Sequence, residues 1–212
     1  MSKCSLVGIT SVISSANNLT IITKQSEATK DEFPYRKWND LYLIYRSILP
    51  NQSEDLVTTM LISNFIMKRL KFTEEELFQF AKTNTAKRTG IIVKPLSNPF
   101  RNEMSAKTDI WNFSDDTSDS TILSNRNLMN GAALILCDEV MDKVVEHYKV
   151  NVLYILPSSI HEVIIIPDSD SVDVEYLKDM VYEINRSTVA PEERLSDHVY
   201  KYTCATKSFE ML

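Results

Sequence analysis

Residues 152–166 read VLYILPSSIHEVIII, and this stretch decides the fold class. Its two ends, 152–156 and 161–166, are rich in the branched and aromatic side chains that favour β-strands. The intervening residues 157–160 include a proline and two serines, which is typical of a hairpin loop. The stretch therefore predicts two neighbouring antiparallel strands.

Helical patterns flank this hairpin. Two aspartates, Asp138 and Asp173, are each predicted to cap a helix, because a carboxylate can accept hydrogen bonds from the first free amides. Apolar residues recur at helical spacing after each aspartate: Val140, Met141, Val144, Val145 and Tyr148, then Val174, Leu177, Val181 and Ile184. A last short helix containing Leu195 is predicted to begin near Pro191, since proline suits a first turn. The apolar run 131–137 is interpreted as a buried strand.

The N-terminal half also contains predicted pairs of strands. Residues 6–13 and 19–23 flank an Asn-Asn turn and predict a hairpin. Residues 41–49 and 56–62 flank a Pro-Asn-Gln-Ser turn and predict a second pair. A short strand is also predicted at 91–93.

One helix is predicted before that short strand. Thr73 and Glu76 have the spacing of a capping box, in which each side chain satisfies a free amide at the helix start. The apolar residues that follow predict a helix as far as Thr85.

Paired strands interleaved with single helices predict an α+β protein, with a mainly antiparallel sheet, helices packed on it and a single core. We expect residues 1–32 to form an N-terminal β-hairpin and linker, and residues 33–205 to form the α+β domain. Residues 98–120 are polar, carry Asp109, Asp115, Asp116 and Asp119, and show little periodicity. A long loop of this kind is either mobile or functional, and we interpret it as mobile.

Composition narrows the class of protein. The chain has 212 residues and only 3 glycines, which disfavours a glycine-rich phosphate loop. A formal net charge of −6 disfavours direct nucleic-acid binding. A local basic patch could form from Lys82, Lys87, Arg88 and Lys94, but a solvated helix face explains these charges more simply.

The cysteine pattern and the lack of targeting signals predict a cytoplasmic protein. Cys4, Cys137 and Cys204 are odd in number and widely spaced, which disfavours both a disulfide framework and a zinc site. No run reaches the ~18 apolar residues of a membrane span, and no signal peptide is evident.

The densest polar cluster is Ser158, Ser159, His161 and Glu162. A hydroxyl beside an imidazole could support acyl transfer, so these four residues are the catalytic candidates. Alternation along a strand, however, directs His161 and Glu162 to opposite faces. We therefore favour a structural interpretation, with serines bonded in the turn and His161 paired with a backbone carbonyl.

Other polar residues offer weaker signals. Asn84, Asn185 and Asp197 are candidate binding residues, although capping explains the two asparagines, as it does Asn130. The histidines, His147, His161 and His198, lack zinc-like spacing. The sequence predicts neither a metal nor a cofactor.

Several stretches resemble a bacterial family known as domain of unknown function 5688, over roughly residues 33–202. Its most specific part is the Pro-Ser-Ser-Ile-His-Glu run at 157–162. The other matching stretches are 33–41, 73–77 with Ala81 and Asn84-Thr85, 130–133, 180–185 and 195–200. The resemblance implies an intracellular protein, often associated with mobile elements, and brings no known catalytic residues.

Three functions remain open. The first, which we favour, is a non-enzymatic binding or regulatory protein whose partner is another protein. The second is a counter-defence inhibitor that offers its acidic loop to a nucleic-acid-handling complex. The third is a small hydrolase or transferase that uses the hairpin's serines and His161.

Overall fold

A computed structural model describes residues 19–24, 31–49, 58–98, 108–157 and 159–212, with only the backbone described for 19–24. The predicted hairpin partner at 6–13 lies outside these residues, as do Cys4, Ser158 and part of the predicted loop. The predicted α+β class is confirmed, but the described strands lie in two sheets rather than one.

The first sheet is built around one long strand. Strand β3 (Leu41–Leu49) pairs antiparallel with β1 (Leu19–Lys24), β2 (Tyr35–Trp38) and β4 (Thr58–Leu61). Residues 41–47 of β3 are buried without interruption, because the strand is covered on both faces. The strand predicted at 41–49 is therefore confirmed, as is its pairing with the segment after the turn.

Two helices follow this sheet, α1 (Asn64–Leu70) and α2 (Glu74–Thr89). The predicted capping box is confirmed: Glu76 N–H donates to Thr73 Oγ1 at 3.2 Å, and Thr73 N–H donates to the Glu76 carboxylate at 2.8 Å. Helix α2 runs four residues past the predicted end and stops at Gly90, whose φ of 71° leaves the helical region.

The second sheet holds the remaining described strands. In chain order they are β5 (Ile92–Pro95), β6 (Ile110–Trp111), β7 (Thr121–Ser124), β8 (Val152–Leu156), β9 (Glu162–Pro167), β10 (Tyr200–Thr203) and β11 (Ser208–Met211). Across the sheet the order is β11-β10-β8-β9-β7-β5-β6. Only the short β5–β6 pairing is parallel among these strands. The predicted hairpin is confirmed as β8 and β9.

Two helices of the C-terminal half were predicted correctly in position. Helix α3 (Asp138–Tyr148) buries Val140, Met141, Val144 and Tyr148, and α4 (Val174–Ser187) buries Leu177 and Val181. Asp173 caps α4, accepting from Glu175 N–H at 3.0 Å. Asp138 is not a cap, because the cap position belongs to Cys137 and the Asp138 carboxylate pairs with Lys82 Nζ at 2.9 Å instead.

Two predicted elements were wrong. Residues 131–136 form a 3₁₀ helix rather than a strand, since an unbroken apolar run carries no periodicity that separates the two. The helix predicted after Pro191 is a single turn, in which Glu193 N–H donates to Ala190 O at 2.9 Å. It does not continue as a helix, and the Glu193 carbonyl accepts instead from Ile160 N–H of the hairpin loop at 2.8 Å.

Both sheets contribute to one main core. Leu43 and Tyr45 of the first sheet belong to the same buried cluster as Ile155 and Val163 of the second. A smaller cluster lies under α4. Among the helices that the structure describes, none is long and apolar enough to cross a membrane.

Candidate functional site

His161 lies at a polar corner between the β8–β9 hairpin and the start of the 3₁₀ helix. Its Nδ1 accepts a hydrogen bond from Asn130 N–H at 3.2 Å, and its Nε2 lies 3.3 Å from Glu193 Oε1. Because Nδ1 is an acceptor, the neutral ring carries its proton on Nε2, directed at the Glu193 carboxylate. Both ring nitrogens are therefore engaged, and neither is directed at a hydroxyl of the serines that the structure describes.

Gly131 packs directly against the backbone of this corner. Ser124 Oγ donates to the His161 carbonyl at 2.8 Å. A Cβ on Gly131 would lie 2.7 Å from Ser124 Oγ and from Asn125 N, and closer still to the His161 carbonyl oxygen. Only a glycine fits here, which explains the Asn130-Gly131 pair as a packing requirement.

The other catalytic candidates do not assemble around the imidazole. Ser159 Oγ accepts from His161 N–H at 3.1 Å, a local turn bond. Glu162 begins β9 opposite Ser124 of β7, and Ser158 lies outside the described residues. His161 was predicted to pair with a backbone carbonyl, but its ring instead accepts from a backbone amide.

Replacing His161 with alanine is expected to reduce the free energy of unfolding by about 1–2 kcal/mol, because the Asn130 amide loses its acceptor. Urea denaturation of the variant and the wild-type chain measures this difference. His198→Ala is the control, since His198 is exposed and should change stability little. Equal stability of the His161 variant and the wild type would contradict this assignment.

A second polar cluster joins the two sheets; we call it the Asp40 cluster. Asp40 lies in the turn between β2 and β3 and accepts from Ser196 Oγ at 2.7 Å and from Tyr200 OH. Ser196 and Tyr200 are fully buried. Burial, with the hydrogen bond to Asp40, raises the pKa of Tyr200, so the phenol stays neutral and donates.

Asn185 and Asp197, both predicted as binding residues, extend this cluster. Asn185 Nδ2 donates to Ser196 O at 2.7 Å and to Asp197 Oδ1 at 2.9 Å. Asp197 Oδ2 also lies 3.4 Å from Arg186 Nη1. Asn185 is fully buried and holds the 196–197 segment rather than capping its own helix. Asn84, by contrast, is half-buried within α2 and lies five residues before that helix ends.

Three of the four aspartates of the predicted loop have structural partners. Asp109 Oδ1 accepts from Ile91 N–H at 3.1 Å, and Asp116 Oδ1 accepts from Ser118 N–H at 2.9 Å. Asp119 accepts from Ser97 Oγ. The described part of this segment also forms β6, which the sequence interpretation missed.

A groove lies between α2 and α3, and we call it the α2–α3 groove. It consists of three adjoining cavities of about 130, 220 and 180 Å³. The first and second share Lys82 and Asp138, and the second and third share Lys87 and Glu139. These shared walls make the three cavities neighbours in a row.

Aromatic side chains occupy both ends of the groove. The first cavity is walled by Trp38, Phe78, Tyr202 and Phe209, and the last contains Trp111. Lys143 Nζ lies 4.3 Å from the Trp111 ring centre, a cation–π contact. Bulky rings combined with charged rims are typical of surfaces that bind other molecules.

Cys137 lies in the middle of the groove but is not a nucleophile. Burial raises the pKa of its thiol to about 12, so the thiolate is scarce at neutral pH. Its Sγ lies 3.5 Å from the Lys82 carbonyl. Within the described residues, no group of three or more histidine, cysteine or acidic side chains is arranged to hold a metal ion.

The structure defines a two-sheet α+β protein with a groove between two of its helices. The chain belongs to a family of unknown function, DUF5688, whose model matches residues 18–204. Strand β1 falls inside this match. Comparison with curated proteins and with solved structures gives no match.

Proposed function

We propose that this protein is a non-enzymatic binding protein that holds an extended segment of a partner protein in the α2–α3 groove. The observation that carries the proposal is the row of three adjoining cavities along α2, with aromatic rings at both ends. Three polar residues could take part in a reaction: His161, Asn185 and Asp197. Their hydrogen bonds instead hold neighbouring segments of the protein in place.

The groove has dimensions that suit a short peptide. From Phe78 to Ala86, α2 rises roughly 12 Å at about 1.5 Å per residue. An extended chain covers that length with about four residues. Exposed Lys87 and Glu139 line two cavities each and offer charges of both signs to a peptide backbone and its side chains.

The cellular setting is part of the same proposal. Both cysteines among the described residues, Cys137 and Cys204, are free, which suits a reducing compartment, and we place the protein in a bacterial cytoplasm. The association with mobile elements rests on the family resemblance alone.

Site-specific photo-crosslinking tests the proposal. A photoreactive amino acid replaces Thr83 or Lys87, two exposed groove positions, in the full chain expressed in its source cells. We expect a discrete crosslinked product of higher mass from each groove position, because a bound segment lies within contact of both side chains.

The matched control places the same amino acid at exposed Tyr176 on α4, away from the groove. Products at Tyr176 that equal those at the groove positions would mean non-specific contact and would contradict the proposal. An exclusively intramolecular product at Thr83 and Lys87 would also contradict it, since the chain itself would then fill the groove.

A further inference from the structure

The aromatic cavity at one end of the α2–α3 groove has its own chemistry. It lies where the two sheets meet helices α2 and α3, and it is lined by Trp38 from β2, Phe78 from α2 and Phe209 from β11. Trp38 and Phe209 are in edge-to-face contact, with ring centres 5.1 Å apart. These rings are held by packing against the core, so the cavity is preformed.

The size of the cavity fits a single side chain. Its volume of about 130 Å³ is close to that of a cavity of ~150 Å³ that binds one benzene ring in another protein. Edge-to-face contacts with Trp38 and Phe209 favour an aromatic ring over an aliphatic group of equal size.

Two lysines place ammonium donors at this cavity. Lys82 and Lys207 line it together with one carboxylate, Asp138. Lys82 pairs with Asp138, and Lys207 pairs with Asp142, which is outside the lining. Each ammonium group has three N–H donors, so each lysine can donate to a further carboxylate without losing its ion pair.

We propose that this cavity binds the C-terminal residue of a partner polypeptide, with an aromatic side chain among the rings and its α-carboxylate on Lys82 and Lys207. At a chain end a single residue supplies both groups, because the ring-bearing side chain and the α-carboxylate branch from the same Cα. The preceding residues then leave along the two adjoining cavities. This inference rests on the proposed function and adds the chemistry of the segment that the groove takes.

Tryptophan fluorescence tests the inference directly. The chain has two tryptophans, so Trp111→Phe leaves Trp38 as the reporter inside the cavity. The probes are the peptide Gly-Ser-Gly-Phe with a free carboxylate, the same peptide as its C-terminal amide, and 3-phenylpropionate. We expect the free acid peptide to change the fluorescence of Trp38 in a saturable way. The amide should bind at least about tenfold more weakly, because it lacks the charge that strengthens the contact with the lysines.

Lysine variants locate the carboxylate. Lys207→Gln keeps most of the aliphatic stem and removes the charge. It should weaken the binding of the acid peptide and leave the binding of the amide unchanged. Lys178→Gln on α4 is the control and should change the affinity for neither peptide. Equal affinity for acid and amide, or no saturable change at millimolar peptide, would overturn the inference.

The outcomes also separate this inference from the proposed function. Binding of 3-phenylpropionate as tight as that of the peptide would make the cavity a small-molecule site and overturn the polypeptide assignment. Groove crosslinks from Thr83 and Lys87 would survive that result. Loss of those crosslinks, with the acid peptide still preferred, would instead contradict the wider binding proposal and leave the chemistry of the cavity supported.

Discussion

Replacing Gly131 with alanine is expected to reduce the free energy of unfolding by roughly 3 kcal/mol or more. The added Cβ would collide with Ser124 Oγ, with Asn125 N and with the His161 carbonyl. Two of these three atoms belong to the backbone and cannot rotate away. Urea denaturation, or loss of soluble protein if the variant does not fold, measures the effect.

Gly90→Ala is the matched comparison. An added Cβ at Gly90 would also collide, but with the flexible side chain of Arg126, which can move. The remaining cost comes from the φ of 71° and ψ of 175°, a backbone region that essentially only glycine adopts, and is about 1–3 kcal/mol. Gly131→Ala should therefore be the more damaging of the two. If it were within about 0.5 kcal/mol of the wild type, the close packing of the corner would be refuted.

Local signals in the sequence were sufficient for part of the fold, although strands β2, β6, β7, β10 and β11 and helix α1 were not predicted. The Thr73–Glu76 capping box, the β8–β9 hairpin and strand β3 each depend on residues adjacent in the chain, so their patterns predicted them. The run 131–136 failed because its helical or extended state depends on what surrounds it. The division into two sheets also lacked a local signal, since pairing between distant strands determines it.

The candidate sites show the same limit. His161 was singled out for its chemistry, yet its partners Asn130 and Glu193 come from segments 31 and 32 residues away. The α2–α3 groove was not predicted, because its walls come from separate parts of the chain. Lys82 and Lys87 had been noted only as charges on a solvated helix face, and nothing in the sequence places Trp38 or Phe209 beside them.

Replacing Asp40 with alanine is the second large effect that we expect, a loss of about 3 kcal/mol in the free energy of unfolding. The substitution leaves two buried donors, Ser196 Oγ and Tyr200 OH, without their acceptor. Each unsatisfied buried group costs about 1–3 kcal/mol. These bonds span 156 and 160 residues of sequence, so their loss weakens the connection between the two sheets.

A double-mutant cycle tests whether the Asp40 carboxylate acts through Tyr200. Tyr200→Phe removes one donor, so alanine at position 40 should cost less in the phenylalanine background, with a coupling energy above about 1 kcal/mol. Asp40→Asn keeps an oxygen acceptor, so its free energy of unfolding should lie between those of the wild type and of Asp40→Ala. Costs that add within about 0.5 kcal/mol would mean that the two side chains act independently. The polar cluster would then not be the link between the sheets, because the apolar core they share would hold them without it.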